Sequence, residues 1–271
     1  MTGIIRTLSM DNYRVKPGLS KHQLDAFSIA PSYYKWKLSQ EFKPSKAMEL
    51  GTLVHAQALE NRIEYAIGPD VDRRTTDGKK RWAAFCAENI NHIIVTQAEA
   101  TIINGACEAV KPLLDKIEIV YIEASMFWER DGVECKGRPD AIGTYNGYPV
   151  IVDLKTVTGM QNFDSSFFRL RYDVQAEWYL HGINKIEKDA YKFAFLVVDM
   201  EQPHLTQFVF PSTELLADAG QRPGIELVRP MAGDANTQRQ ARFWWMQGHA
   251  IFMARIPERV LHQSGAARIS D

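Results

Sequence analysis

The sequence predicts an α/β (α+β) fold, a central mixed β-sheet flanked by helices. Three features of the pattern carry that expectation. Apolar residues recur at helical spacing up to Leu114, and the period then switches to two from Ile117 to Val157. A further helical stretch from Tyr172 to about Ile183 leads into a nearly continuous apolar strand, AYKFAFLVVDM. Helices, strands, a helix and strands again make a layered fold in which helices cover a sheet.

The elements follow in order. A helix starts within GLSKHQLDAF, where Ser20 and Gln23 have the spacing of a capping box and Leu24 and Phe27 open an apolar face; Pro31 is expected to end it. The next lies in KPSKAMELGTLVHAQALENR, with Met48, Leu50, Val54, Ala58 and Leu59 on a packing face and His55 in its middle. From Gly68 to Lys80, GPDVDRRTTDGKK lacks apolar periodicity and is rich in cations, so an exposed loop is expected. Helical pattern resumes from Arg81 to about Asn91 and from Thr96 to about Leu114. The stretch IEIVYIEASMFWERDGVECKGRPDAIGTYNGYPVIVDLKTV reads as three successive antiparallel strands broken at RDG and YNGY, the second a strong hairpin signal. AYKFAFLVVDM and HLTQFVF supply a fourth and fifth strand. NTQRQARFWWMQGHAIFMARI reads as an aromatic-rich helix for core or subunit packing.

At 271 residues the chain is expected to form one domain, 1–271, with a core at 12–200 and an extension of open role at 201–271. No apolar run approaches the ~18 residues a bilayer demands, and the N-terminus lacks a secretory signal, so a cytoplasmic protein without a membrane role is expected. Cys86, Cys107 and Cys135 are scattered without a CxxC pair, which argues against a zinc or iron–sulfur site. A net charge of −1 advertises no global affinity for nucleic acid, so any such affinity rests on local patches or on metal ions.

One constellation carries chemistry. Asp140 lies near the start of one strand and Asp153 near the end of the next, so a hairpin register sets the two carboxylates side by side. Two carboxylates at one spot repel unless a cation sits between them, and hard oxygen ligands select Mg²⁺ or Mn²⁺. Lys155 shares a strand face with Asp153 by period-two alternation, where an ammonium can hold a nucleophilic water or offset phosphoryl charge. Isolated DxK motifs more often mark surface ion pairs, but VIVDLKT reads as an apolar, central strand, where charges are costly without a purpose.

The same residues resemble a family. GRPDAI, a turn and VIVDLKT are similar to the core of the PD-(D/E)XK nuclease superfamily, which has a restriction-endonuclease-like fold. LGTLVHAQALE looks like the GxxxH helix of nuclease domains of the RecB and RecE type, and YDVQAEWY looks like their QxxxY motif, placing Gln175 and Tyr179 one helical turn apart. PGLSKHQLDAFSIAPSYYKWK is similar to the start of the exonuclease VIII (RecE-type) nuclease domain. The resemblance spans roughly Asn12 to Gly182.

What the resemblance implies is a Mg²⁺-dependent double-strand DNA exonuclease, tolerant of Mn²⁺ and holding two ions. It would resect one strand, the 5′-ended one, from a duplex end for recombination. Asp140 and Asp153 would bind metal, with the Leu154 carbonyl completing the shell and His55 supplying a nitrogen to the second ion. Lys155 would orient water. Glu123, similar in position to an acidic ligand of lambda exonuclease, is a further carboxylate, with Glu129 and Glu134 as alternatives. Gln175 and Tyr179 would contact the DNA end, and Arg73, Arg74, Lys79 and Lys80 would clamp phosphates. Relatives work as toroidal homo-oligomers with a single-strand annealing protein, and this chain is expected to be a free-standing nuclease module from a phage, prophage or bacterial host. Three rivals stand beside this reading: an endonuclease, a Cas4-like nuclease with the same metal site, and a catalytically silent DNA-binding module.

Overall fold

The switch of period at Ile117 marks the start of the central sheet, and the helical patterns on either side of it supply the layers that cover it. The structure, a computed structural model, describes residues 2–221; the helix expected at 236–256 lies outside them. In chain order the elements are β1 (Gly3–Ile5), α1 (Met10–Val15), α2 (Lys21–Ile29), α3 (Pro31–Leu38), α4 (Lys46–Glu60), β2 (Tyr65–Ile67), α5 (Thr76–Glu88), β3 (Ile93–Val95), α6 (Gln97–Leu114) and β4 (Ile117–Ile122). They continue with β5 (Ser125–Arg130), β6 (Val133–Gly137), β7 (Ala141–Tyr145), β8 (Tyr148–Val157), α7 (Phe163–Arg169), α8 (Tyr172–Glu187), β9 (Lys192–Asp199), β10 (Thr206–Val209) and α9 (Thr213–Gly220). Among the described residues no helix is long and apolar enough to cross a membrane.

The main sheet has the order β10-β9-β8-β7-β4, with β8 central, β8 parallel to β9 and the other neighbours antiparallel. The mixed α+β layering expected from the sequence is therefore present. Alternation sorts the side chains. Val150, Val152 and Leu154 of β8 join Ala194, Leu196 and Val198 of β9 in one core with α4 and α6, while Ile151, Phe193, Phe195 and Val197 enter the other with α8. The second core centres on Trp128 and Trp178, edge to face at 5.3 Å. Gly182 permits that approach, because a Cβ there would lie 2.8 Å from the Trp128 ring.

Local chemistry sets several boundaries. The Ser20–Gln23 capping box is present at α2, and Thr96 with Glu99 forms another at α6. Pro31 ends α2, yet it also occupies the first turn of a new helix, α3, where its missing N–H costs nothing. The expected loop at 68–80 is shorter than its composition suggested: the Thr75 side chain accepts from the Gly78 N–H and starts α5 at Thr76.

The region read as three strands holds five, divided between two sheets. β5 and β6 form a hairpin at Asp131-Gly132 and join β1 in a separate sheet, order β1-β5-β6. The break between β4 and β5 falls at Glu123, in the left-handed region at φ 51°, where no glycine, proline or asparagine advertises a turn. The Lys136 ammonium ties that small sheet to α1 by donating to the carbonyls of Tyr13, Arg14 and Lys16 at 3.1, 3.1 and 2.6 Å.

Candidate active site

The site starts from a tight turn. Asn146 and Gly147 both take positive φ, 51° and 79°, which suits a two-residue hairpin and fixes the β7–β8 register as Tyr145 opposite Tyr148 and Ala141 opposite Val152. One step further along that register places Asp140 beside Asp153, and the Asp140 Oδ2 accepts the Leu154 N–H at 2.6 Å. Asp153 is 2% exposed. Its Oδ1 accepts from the Gln175 amide at 2.7 Å, and its Oδ2 meets the Lys155 ammonium. Lys155 in turn lies over the Tyr172 ring, 4.6 Å from its centroid.

α4 brings the imidazole. His55 Nδ1 lies 3.3 Å from Asp140 Oδ2. Gly51, one turn earlier on the same helix face, allows α4 to approach β8, since a Cβ there would stand 3.0 Å from Thr156 Oγ1. The GxxxH spacing thus has a packing cause as well as a chemical one.

Glu123 completes the group. Among the described residues, His55, Glu123 and Asp140 offer ligand atoms that all lie within 4.8 Å of one another. The left-handed backbone of Glu123 is held by its N–H donating to the Asp140 carbonyl at 2.9 Å. Its carboxylate is gripped by Arg138, whose Nε donates to Oε2 at 2.7 Å while Nη1 donates to the Leu8 carbonyl and Ser125 Oγ, both at 2.7 Å. Glu129 and Glu134 face each other on the β5–β6 hairpin in the other sheet. Arg138 escaped the sequence reading although it stands directly before Pro139-Asp140; a charge at that position was the available signal.

Electrostatics separate the two aspartates. Burial pushes Asp153 up to about 6, against the pull of Lys155 and with added repulsion from Asp140. Burial also opposes ionisation of Asp140, but His55, Lys155 and the Leu154 N–H outweigh it and hold that carboxyl below its ordinary value. His55 is raised because Asp140 and Asp153 overcome its burial, and Lys155 is raised because Asp153, Tyr172 and Asp140 overcome its own. Burial and Asp140 raise Glu123. Three carboxylates gathered here, two of them unwilling to ionise, are a charge pattern that a cation resolves.

The remaining candidates fall into two groups. Gln175 and Tyr179 are buried on α8 and turned inward: Gln175 holds Asp153, and the Tyr179 hydroxyl donates to the Arg138 carbonyl at 3.3 Å. Arg73, Arg74, Lys79 and Lys80 are exposed, with Arg74 bonded to Asp72 and Arg73 4.4 Å from the Trp82 ring. The two lysines lie in the first turns of α5, not in a loop. Cys86, Cys107 and Cys135 are free thiols on α5, α6 and β6.

Residues 20–222 match the family described as PDDEXK-like domain of unknown function (DUF3799). The chain belongs to that family. The DUF3799 match contains every residue of the strand-end group. A crystal structure from Eubacterium rectale, of a protein provisionally named an exonuclease, resembles this chain with a TM-score of 0.59 at 13% identity, covering 98% of this chain and 96% of its own; the likeness is one of fold. A second solved structure, SSO0001, reaches a TM-score of 0.31 at 14% identity over 77% of this chain and 96% of its own, too low to carry an argument. No curated protein matches the sequence.

Proposed function

We propose that this DUF3799 chain is a divalent-metal-dependent nuclease that hydrolyses DNA phosphodiesters from a duplex end. The observation that carries the reading is the convergence of His55, Glu123, Asp140, Asp153 and Lys155 at the ends of β7 and β8, with Asp140 shared between two groups of donors. Membership of a PDDEXK-like family and the fold likeness to the Eubacterium rectale protein support it.

The donor set fits a metal. Carboxylate oxygens suit Mg²⁺, an imidazole extends tolerance to Mn²⁺, and the buried Asp153 Oδ2 has no hydrogen-bond partner beyond its ion pair with Lys155. His55, Glu123 and Asp140 would hold one ion, and Asp140, Asp153 and the Leu154 carbonyl a second. When bound, such ions supply Lewis-acid chemistry at the phosphoryl group. The protein's own residues do the rest. Lys155, kept charged by its carboxylate neighbours, donates to the attacking water or to a phosphoryl oxygen and holds it in line. Gln175 fixes the Asp153 rotamer, and Arg138 fixes Glu123. The inward turn of Gln175 and Tyr179 supports a positioning role for both, beside the DNA contact that the resemblance implies.

Resemblance to exonuclease VIII extends the proposal to the 5′-ended strand, to a role in recombination with a single-strand annealing protein, and to a toroidal oligomer; a monomeric mass in solution would remove the ring. Digestion of a linear duplex labelled separately at its 5′ and 3′ ends, beside a covalently closed circle, tests the core of the reading. Loss of one strand from its end with Mg²⁺, none with EDTA, and an intact circle are expected. A cut circle would make the chain an endonuclease, and no metal-dependent cleavage of either substrate would overturn the reading.

A further inference from the structure

The arm that joins α2 to α4 packs little of its own surface. Its start is pinned beside Lys155. Lys21 of α2 donates to the Leu170 carbonyl at 2.7 Å, Asp25 lies 3.2 Å from Arg171, and the adjacent Tyr172 is the ring over which the Lys155 ammonium sits. Its end is α4, whose His55 faces Asp140. The chain from 30 to 45 therefore runs from the Lys155 flank of the cluster to the His55 flank.

α3, the helical part of the arm, buries none of its residues, and every residue from 35 to 48 is exposed. α3 rests on α2 through Tyr34, which meets the Phe27 ring at 5.9 Å and the Gln23 amide at 3.5 Å. That contact leaves the neighbouring positions outward. Trp36 is 54% exposed, with Tyr33 5.5 Å away and the two rings tilted by 36°. Lys37 falls on the same helix face as these rings, one turn on from Tyr33, and α3 holds no acidic residue. Ser28, in the last turn of α2, accepts from Arg171 Nη1 at 2.5 Å, so the arm leaves α2 beside the residue that precedes Tyr172.

We propose that this arm is a guide for single-stranded DNA, with Tyr33 and Trp36 offering ring faces to unstacked bases and Lys37 meeting a phosphate of the strand that leads to the cluster. The proposal rests on the nuclease reading and names the surface that positions its substrate. Two rings and a lysine on one helix face match a strand that presents both bases and phosphates, and stacking is tolerant of sequence. A protein partner fits less well, because the cores of protein interfaces are depleted in lysine.

The test is the affinity of a fluorescent oligothymidylate, measured in EDTA so that nothing is cleaved, for the full chain and its variants. Trp36→Ala is expected to weaken binding about tenfold, within the range of one stacked base, and Trp36→Phe to retain most of it. Because ring loss could disturb α3, Lys37→Gln supplies a second reading: the slope of log Kd against log salt should fall by roughly one. Wild-type binding left unchanged by both sets, or no wild-type binding, overturns the guide. So does a concentration-dependent dimer abolished by Trp36→Ala, which would make the arm an interface between copies. None of these outcomes touches the nuclease reading, which the labelled-duplex digestion decides separately.

Discussion

Asp153 and Asp199 are buried aspartates on adjacent strands, β8 and β9, at 2% and 6% exposure, and their surroundings differ in kind. Asp199 accepts three backbone N–H groups, from Gly159 and Glu201 at 2.9 Å and from Met160 at 2.7 Å; these donors outweigh burial and hold its carboxyl low. It closes the turn after β8 and needs nothing further. Asp153 has one amide and one ammonium, faces a second carboxylate, and is pushed by burial up to about 6. A satisfied buried carboxylate stabilises a fold, whereas an under-satisfied one beside others is where an ion belongs.

Substitutions sharpen that contrast, the largest first. Lys155→Ala should lower the rate of phosphodiester hydrolysis by about 10³-fold, the scale of a lost proton-handling or water-orienting group, with the folded structure retained. Single-turnover kinetics on a linear duplex measure it, and a loss below about tenfold would place Lys155 outside the chemistry. Asp199→Ala strands three amide donors and should destabilise the protein by about 2–4 kcal/mol in urea unfolding, with hydrolysis per folded molecule nearly unchanged.

Asp153→Asn should do the reverse. The folded-state value of Asp153 stands above its ordinary 3.8, at about 6. Ionising it therefore costs the metal-free fold nothing below about pH 4 and the full amount above about pH 6. At pH 7 without metal the variant should be more stable than wild type by about 1–3 kcal/mol, and the difference should shrink as pH falls toward 4. Equal stability across that range would mean that Lys155 alone satisfies the carboxylate. The smallest effect expected is for Arg138→Ala: releasing Glu123 should weaken Mn²⁺ binding about tenfold, as support of a ligand from outside the metal shell does, with Arg138→Lys partly restoring it. Tighter binding in Arg138→Ala would show instead that the guanidinium competes with metal for the carboxylate.

Much of this was legible in the sequence, and the exceptions have physical causes. The Asn146-Gly147 turn fixed the hairpin register, and with it the neighbourhood of Asp140 and Asp153, because few residues other than asparagine and glycine accept positive φ there. The capping box at Ser20 placed one helix start, and the helical pattern from Thr96 another. The count of strands failed at Glu123, since a glutamate at φ 51° is stabilised by the Asp140 carbonyl and by Arg138, contacts that are remote or sterically invisible in a linear pattern. α3 is hidden in the sequence because the proline that ends α2 is also a first-turn residue of the next helix. The start of α5 was hidden in a basic run whose composition resembled a loop, although Thr75 caps it. Motif spacing brought Gln175 to the site, but only the packing of α8 shows that its amide faces Asp153 and not solvent.

The most direct measurement is calorimetric titration of Mn²⁺ into metal-free protein, with Asp140→Asn and Asp199→Asn run beside wild type. Binding retained by Asp199→Asn and lost by Asp140→Asn is the predicted result. Equal binding by all three chains, or no binding by any, would contradict a divalent ion held at the strand ends.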